Sequence, residues 1–243
     1  MVISVVATRP NFIKMAPVIE QLKLNKIENY FVHTGQHYDD NMSDIFFKDL
    51  NMPAPNHFMN IRPGSHAEQT AEVLIKFEKL CMELKPKLVI VAGDVNSTLS
   101  CALAAAKLNI PIAHIEAGLR SFDKRMPEEV NRVLTDHVSD ILFATERNAI
   151  ENLKNENILK QKIHFVGNCM IDSLIKNKLE IKKNNAMKKY RLEKDDYCIA
   201  TIHRPSNVDS GQNLKDLGSF LNKFSNKCKV VFPIHPRTKK MIE

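Results

Sequence analysis

Short apolar, β-branched runs alternate with amphipathic stretches of helical period along the first two thirds of the chain. The expected strands are Val2–Ala7, Tyr30–Thr34, Lys87–Ala92, Ile112–Ile115, Ile141–Ala144 and Ile163–Val166. The expected helices are Lys14–Leu24, Asn41–Leu50, His66–Leu84, Ser97–Leu108, Glu128–Val138 and Arg147–Asn155. Because a helix that crosses between two strands makes those strands parallel, this alternation predicts an α/β fold with a doubly wound parallel sheet.

The same rhythm restarts near the end of the chain. A strand is expected at Tyr197–Thr201, a helix at Asn213–Asn226 and a strand at Lys229–Pro233, and the sequence stops at Glu243. One strand-helix-strand unit cannot cover both faces of a parallel sheet, so we expect the second domain to be truncated. The predicted divisions are an N-terminal Rossmann-like domain at 1–170, a basic helical connector at 171–194 and the start of an incomplete Rossmann-like domain at 195–243.

The formal net charge of +7 comes from the last part of the chain. Residues 1–150 hold 16 basic and 18 acidic residues, whereas residues 151–243 hold 19 basic and 10 acidic ones. Much of the excess lies between Lys176 and Lys194, which we interpret as a solvated helix face. Because aromatic residues are few and Trp is absent, the stacking groups typical of nucleic-acid binding are lacking, and we expect no nucleic-acid partner.

Composition also predicts the compartment. The sequence has no run of 18 or more apolar residues, and its short apolar opening Met1–Ala7 is followed at once by polar Thr8 and Arg9, so we expect neither a membrane span nor a signal peptide. Its five cysteines are far apart in sequence and form no C-x-x-C pair, which argues against a zinc site and against a disulfide framework. We therefore expect a cytoplasmic protein that contacts no membrane and holds no metal.

Polar residues follow each of the first four expected strands. These segments are Thr8–Asn11 with Lys14, His33–His37, Gly93–Thr98, and His114–Ser121 leading into Pro127–Arg132. Because ligands of open α/β sheets bind outside the carboxyl ends of the strands, these side chains should line one crevice. Neither the G-x-G-x-x-G fingerprint nor the G-x-x-x-x-G-K-[ST] fingerprint is present, so NAD and ATP are poor candidates for the ligand.

Single residues of these segments also have structural explanations. Asp94 is compatible with a helix N-cap, and Glu128 and Glu129 at a helix start would complement the helix dipole. Glu116 is harder to explain in this way, because a carboxylate at the end of a core strand needs a partner or a task.

Seven motifs together resemble one enzyme family. They are ATRPNFIKMAPVI, HTGQHY, AGDVNST, HIEAGLRSFDKRMPEEVNR, FVGNCMID, TIHRPSN and FPIHPR, in that order. Their order and spacing are similar to those of the non-hydrolysing UDP-N-acetylglucosamine 2-epimerases, and the resemblance covers essentially the whole chain. It implies the glycosyltransferase-B architecture, with two Rossmann-like domains of which the second is cut short.

The resemblance implies interconversion of UDP-N-acetylglucosamine and UDP-N-acetylmannosamine for cell-surface polysaccharide synthesis, with neither a cofactor nor a metal. The C2 hydrogen has no adjacent carbonyl, so UDP must leave C1 first. Anti-elimination then gives a 2-acetamidoglucal, to which UDP re-adds. This chemistry needs carboxylates near C2 and cations around the diphosphate.

Site residues follow from the matched motifs. The implied catalytic residues are Asp94, Glu116, Glu128 and His203. The implied substrate-binding residues are Arg9, Lys14, Arg132 and Arg204. Glu116 and Glu128 would transfer protons at C2, while His203 would join the cations in stabilising the departing diphosphate.

The resemblance further implies a second, allosteric UDP-N-acetylglucosamine site that involves Gln36 and His37, and a homodimer at full length. Two alternatives stay open at this point. A glycosyltransferase of the same architecture would also bind a nucleotide sugar, and a truncated chain could be a non-catalytic sugar-nucleotide-binding fragment.

Overall fold

The computed structural model of the chain describes residues 1–35, 47, 49–194, 196–202 and 205–242. They divide into two compact units, Met1–Leu179 and Glu180–Glu243. The division falls inside the segment 171–194 that the sequence predicts as a connector.

Among the described residues of the first unit, seven parallel strands form one sheet. They are β1 (Val2–Val6), β2 (Asn29–His33), β3 (His57–Phe58), β4 (Leu88–Ala92), β5 (Ile112–Ala117), β6 (Ile141–Ala144) and β7 (Ile163–Phe165). Their spatial order is β3-β2-β1-β4-β5-β6-β7. Because the order reverses between β1 and β4, the sheet is doubly wound as the sequence predicted, and its ligand crevice is expected between these two strands.

Helices cover both faces of this sheet. The described helices of the first unit are α1 (Arg9–Leu24), α2 (His66–Leu84), α3 (Asn96–Lys107), α4 (Pro127–Val138), α5 (Arg147–Asn155), a 3₁₀ turn (Lys160–Lys162), α6 (Cys169–Lys176) and α7 (Lys178–Lys183), which runs across the division. One apolar cluster packs α2 and α3 against the sheet, and a second packs α1 against the opposite face.

Strand β5 shows how the two faces alternate. Ile112 belongs to the cluster on the α2 and α3 face, whereas Ala113 and Ile115 belong to the cluster on the α1 face. This period of two is the normal consequence of the pleat. The pairing of β5 with β6 then shifts between Ile115 and Ala117, which leaves Glu116 as an extra, bulged residue.

Several predicted elements have the observed bounds, including the helices His66–Leu84 and Arg147–Asn155. The first helix begins at Arg9 and not at Lys14, so that prediction was wrong. Pro10 is tolerated in the first helical turn, and Thr8 and Asn11 form a capping box that starts the helix there. Strand β3, of two residues, is too short for its pattern to be recognised, and most of the expected helix Asn41–Leu50 lies outside the described residues.

The second unit carries a pair of parallel strands. Its described elements are α8 (Ala186–Lys189), β8 (Tyr197–Ile199), α9 (Pro205–Val208), α10 (Gly211–Ser225), β9 (Lys229–Val231) and α11 (Pro236–Ile242). Tyr197 pairs with Lys229 in the parallel register. Both strands are shorter than the sequence predicted, and α10 connects them as the strand-helix-strand pattern requires.

The cysteines are free thiols. Burial raises the pKa of the Cys81 thiol to about 12. Cys198 and Cys228, which are distant in sequence, bring their Sγ atoms within 3.4 Å of each other beside the β8–β9 pair. Within the described parts of the chain, no helix has the length and apolar character needed to span a bilayer.

Candidate functional site

The start of α1 is tied to the carboxyl end of β4. Asn11 donates from Nδ2 to the carbonyl oxygen of Ala92 at 2.7 Å, and its Oδ1 accepts from the backbone N–H and the hydroxyl of Thr8. Arg9 lies exposed in the first turn, and Lys14 lies further along and is buried. The first and fourth strands thus hold α1 at the point where the strand order reverses.

Lys14 and Glu116 form the central ion pair of this crevice. Lys14 Nζ lies 2.6 Å from Glu116 Oε1, and the two side chains are only 8% and 13% exposed. At this burial the ammonium and the carboxylate must compensate each other, because an isolated charge here would cost several kcal/mol. The sequence predicted that Glu116 needs a partner, and the structure identifies that partner as a residue 102 positions earlier.

A strained backbone aims the Glu116 side chain at α1. The alternation along β5 would place Glu116 on the face of His114, opposite Ile115, yet its carboxylate contacts a residue of α1. The bulge and a φ of +71° at Glu116 account for this change of face. A left-handed conformation costs a residue with a side chain on the order of 1–3 kcal/mol, and such strain is concentrated at functional sites.

Gly93 leaves room for this ion pair. Its φ is +71°, and a Cβ built on it would lie 3.0 Å from Lys14 Nζ and 3.3 Å from Asn11 Nδ2. A side chain at this position would therefore be strained and would press on the ammonium. The sequence placed Gly93 at the end of a strand, and the structure explains why glycine is needed there.

Asp94 is held by Arg132. The guanidinium of Arg132 contacts Asp94 Oδ2 from Nε at 3.0 Å and from the NH2 nitrogen at 2.9 Å, and its NH1 nitrogen contacts Glu129 Oε2 at 2.8 Å. Asn131 donates to the Asp94 carbonyl oxygen at 2.9 Å. Helix α4 therefore fixes both the backbone and the carboxylate of Asp94, and Arg132 is engaged with two acids.

The adjacent glutamates Glu128 and Glu129 differ in their surroundings. Glu129 is 3% exposed and accepts hydrogen bonds from the backbone N–H groups of Ser121 and Phe122. Burial opposes ionisation of Glu129, but these hydrogen bonds outweigh it and lower the pKa of the carboxyl. Glu128 is exposed, and its carboxylate makes no hydrogen bond or ion pair with any residue that the structure describes. Glu129 therefore organises the loop before α4, and Glu128 is available to a ligand.

A buried polar cluster lies on the other side of β5. His114 contacts Asp136 Oδ1 from Nδ1 at 2.6 Å and the Gly93 carbonyl oxygen from Nε2 at 2.8 Å. Arg120 contacts Asp136 at 2.8 Å and binds Glu156 through two nitrogens. Burial opposes ionisation of Asp136, but His114 and Arg120 outweigh it and lower the pKa of this carboxyl.

The remaining predicted site residues lie outside the described part of the chain. They are Gln36, His37, His203 and Arg204. Thr34, which precedes the first of them, is described, and its hydroxyl lies 2.9 Å from that of Ser97 at the start of α3. The structure thus brings together Lys14 with Glu116 and, separately, Asp94 with Arg132.

Sequence reasoning assigned no individual role to five residues of this neighbourhood, although four of them lie in the segments expected to line the crevice. The five are Asn11, His114, Arg120, Asn131 and Asp136. All but Asp136 lie within the motifs quoted above. For His114 and Asp136, the signal in the sequence would have been a polar residue on the otherwise apolar face of a strand or helix. Within the described residues, no group of three or more His, Cys, Asp or Glu side chains could hold a metal ion.

The chemical capacity of the crevice follows from these contacts. It combines a shielded carboxylate, an exposed carboxylate and buried or half-buried cations at the carboxyl ends of β1, β4 and β5. Carboxylates of unequal environment suit proton transfer, and the cations and the start of α1 suit an anionic ligand.

Comparison with known proteins shows which family the chain belongs to. A family model described as UDP-N-acetylglucosamine 2-epimerase matches residues 20–243. A UDP-N-acetylglucosamine 2-epimerase homolog of Methanococcus maripaludis is 48% identical over 100% of this chain and 67% of its own length. The UDP-2,3-diacetamido-2,3-dideoxy-D-glucuronate 2-epimerase of Pseudomonas aeruginosa is 46% identical over 100% of this chain and 68% of its own length. The chain thus spans about two thirds of the length of these relatives.

Solved structures agree as well. The UDP-GlcNAc 2-epimerase of Methanocaldococcus jannaschii, crystallised with UDP-GlcNAc and UDP, superposes with a TM-score of 0.92 at 44% identity, over 100% of this chain and 68% of that one. A lipopolysaccharide outer core galactosyltransferase, at 13% identity and a TM-score of 0.53, shares the fold alone. The fold is therefore of the glycosyltransferase-B type, and the chain belongs to the UDP-N-acetylglucosamine 2-epimerase family.

Proposed function

We propose that this crevice is the site at which the chain interconverts UDP-N-acetylglucosamine and UDP-N-acetylmannosamine. The observation that carries this proposal is the Lys14–Glu116 pair, in which a strained bulge of β5 turns the carboxylate onto the helix that follows β1. Strain of this kind at a crevice is typical of a carboxylate with a catalytic task.

The proposed reaction proceeds by elimination and re-addition. The C1–O bond to UDP breaks with departure of the diphosphate, and a carboxylate takes the C2 proton, which gives UDP and a 2-acetamidoglucal. A proton then returns to C2 on the opposite face while UDP adds back to C1. Each proton and the UDP group are recovered, so the reaction needs no oxidant or reductant.

We assign the proton transfers at C2 to Glu116 and Glu128. Glu116 is shielded and paired with Lys14, whereas Glu128 is exposed at the start of α4. Asp94, oriented by Arg132, is proposed as the third essential acid.

Charge stabilisation is assigned to the cations of the same edge. Arg9 is exposed at the start of α1, where the helix dipole also favours a diphosphate. Lys14 and Arg132 are proposed to add positive charge while they hold their carboxylates. His203 is proposed to stabilise the departing diphosphate and Arg204 to bind substrate, and both lie outside the described residues.

The proposal also includes an allosteric site, a homodimeric assembly and a cytoplasmic location. Gln36 and His37, also outside the described residues, are proposed to bind a second UDP-N-acetylglucosamine, and the full-length protein is proposed to be a homodimer. The free thiols suit a reducing cytoplasm.

Proton NMR in heavy water tests the reaction. The purified chain is incubated with UDP-N-acetylglucosamine, and the C2 proton signal is followed together with new UDP-N-acetylmannosamine signals. Glu116→Gln and Glu128→Gln should each slow the loss of the C2 signal at least 100-fold, on the scale of acid–base catalysis. Glu83→Gln, at an exposed position of α2, is the matched control and should leave the rate unchanged. Loss of the signal at the wild-type rate in both site variants would refute the assignment.

A second candidate substrate comes from the Pseudomonas aeruginosa relative. That relative is named for UDP-2,3-diacetamido-2,3-dideoxy-D-glucuronate and is as similar to this chain as relatives named for UDP-N-acetylglucosamine. The same NMR assay should be run with both nucleotide sugars, and the ratio of kcat/KM identifies the substrate. A glycosyltransferase would release UDP only when an acceptor is added and would leave the C2 proton in place.

A further inference from the structure

The carboxylate of Asp136 contacts β5 at two points. Asp136 lies on α4 and is 0% exposed. Its Oδ1 lies 2.6 Å from Nδ1 of His114, and its Oδ2 accepts the backbone N–H of Gly118 at 3.0 Å. One buried side chain therefore binds the residue two positions before Glu116 and the residue two positions after it.

These two contacts bracket the bulge. Glu116 is the extra residue of the β5–β6 register and has a φ of +71°, so its conformation persists only if the surrounding structure enforces it. His114 is held at its other nitrogen as well, since Nε2 lies 2.8 Å from the Gly93 carbonyl oxygen. Both ring nitrogens of His114 are therefore engaged, one by the Asp136 carboxylate and one by the backbone carbonyl of Gly93. The segment from His114 to Gly118 is thereby fixed at both ends.

Asp136 is itself held in place. The Arg120 guanidinium lies 2.8 Å from Asp136 Oδ2 and also binds both oxygens of Glu156, at 2.6 and 2.7 Å. Asp136 thus receives donors from three residues and has no exposed surface for a ligand. Its carboxylate can therefore influence Glu116 only through the residues that it contacts on either side of the bulge.

We propose that Asp136 is a positioning residue for Glu116. It holds the β5 bulge in the conformation that turns the Glu116 carboxylate away from α4 and onto Lys14 of α1. The inference rests on the proposed function, in which Glu116 transfers a proton at C2. A displacement of about 1 Å at a reacting group can lower the rate on the order of 100-fold, so a loosened bulge should be visible in kcat.

The test is Asp136→Asn, which keeps the volume and replaces one carboxylate oxygen with an NH2 group. That group cannot accept a hydrogen bond from His114 or from Gly118, so one of the two contacts that hold the bulge is lost. In the heavy-water NMR assay we expect kcat to fall at least 10-fold while KM stays within about 2-fold, because Asp136 does not contact substrate. A role in stability alone would lower the melting temperature and leave kcat of the folded protein unchanged.

Asp140→Asn is the matched control. Asp140 follows α4 and accepts the backbone N–H of Ile112 at 3.1 Å, so it holds the opposite end of the same strand. The substitution makes the same chemical change, and the remaining oxygen can still accept that N–H. We expect wild-type kcat and KM for this variant.

Hydrogen exchange on the wild-type chain gives a readout that needs no variant to fold. We expect the Gly118 amide to exchange as slowly as the ladder amides of β5, and Asp136→Asn, where folded, to speed it at least 10-fold. Fast wild-type exchange, or Asp136→Asn with wild-type kcat, overturns the positioning role while the proposed function stands. A wild-type chain that exchanges no C2 proton with either nucleotide sugar refutes the proposed function, and the positioning role falls with it.

Discussion

Gly118 occupies a position where even one methyl group has no space. Its φ is +83°, and a Cβ built on it would lie 2.4 Å from the carbonyl oxygen of Ala149 and 2.9 Å from Leu153 Cγ. The first of these atoms belongs to the backbone of α5 and cannot rotate away. Gly118→Ala should therefore force α5 and the end of β5 apart.

Two costs add up in this variant. A left-handed conformation costs an alanine roughly 1–2 kcal/mol relative to glycine. Overpacking against a fixed backbone costs typically about 1–3 kcal/mol. We expect the free energy of unfolding to fall by about 2–5 kcal/mol, which at about 2–4 °C per kcal/mol for a chain of this size lowers the melting temperature by at least about 4 °C.

Gly167→Ala separates the two costs. Gly167 has a similar φ of +79°, but a Cβ built on it meets no atom within 4 Å. This variant should lose only the roughly 1–2 kcal/mol of backbone strain. Calorimetry and urea unfolding measure the destabilisation of each variant, and the difference between Gly118→Ala and Gly167→Ala is the steric cost. Equal destabilisation of Gly118→Ala and Gly167→Ala would refute the steric argument.

Two further predictions concern charges near the crevice. Lys14→Met should lower the free energy of unfolding by about 3–5 kcal/mol and the rate of C2 exchange at least 10-fold, because it leaves the Glu116 carboxylate nearly buried and unpaired. Lys183→Met breaks an exposed ion pair with Glu180, so its loss in urea unfolding should stay near 0–1 kcal/mol, and an equal loss in both variants would contradict the prediction. The lowered pKa of Asp136 means that its ionised form stabilises the fold fully above the unfolded-state pKa of about 3.9, and that this stabilisation is lost as pH falls through the folded-state value. The stability difference between wild type and Asp136→Asn, measured in urea, should therefore be constant from about pH 7 to pH 5 and shrink below about pH 4; a difference that stays constant to pH 3 would contradict it.

The two neighbouring glutamates of α4 divide two tasks. Glu129 accepts hydrogen bonds from the loop at Ser121 and Phe122 and binds Arg132, which in turn holds Asp94. Glu128 is exposed in the first turn of α4. As acids at a helix start the two are alike, and the resemblance to the family implies a catalytic role for Glu128 alone. The structure adds that Glu129 is the buried, hydrogen-bonded carboxylate.

Much of the fold could be read from hydrophobic periodicity. The helix His66–Leu84 carries a capping box at Ser65 and Glu68, so its start can be predicted from neighbouring residues in the sequence. The first helix was misplaced because Pro10 suggests a loop, whereas proline is compatible with a first helical turn. The pairing of β8 with β9 follows from the strand-helix-strand pattern in the same way.

The sequence by itself determined the alternation of strands and helices, the parallel sheet that this alternation requires, and the motifs that identify the family. Only the tertiary structure decided which charges meet: Lys14 with Glu116, Arg132 with Asp94, and Asp136 with both flanks of the bulge. Period-two alternation would put Glu116 on the α4 face, and one extra residue in the β5–β6 register reverses that. The physical reason is that periodicity is a local property, whereas the partner of a buried charge depends on packing between segments that are distant in sequence.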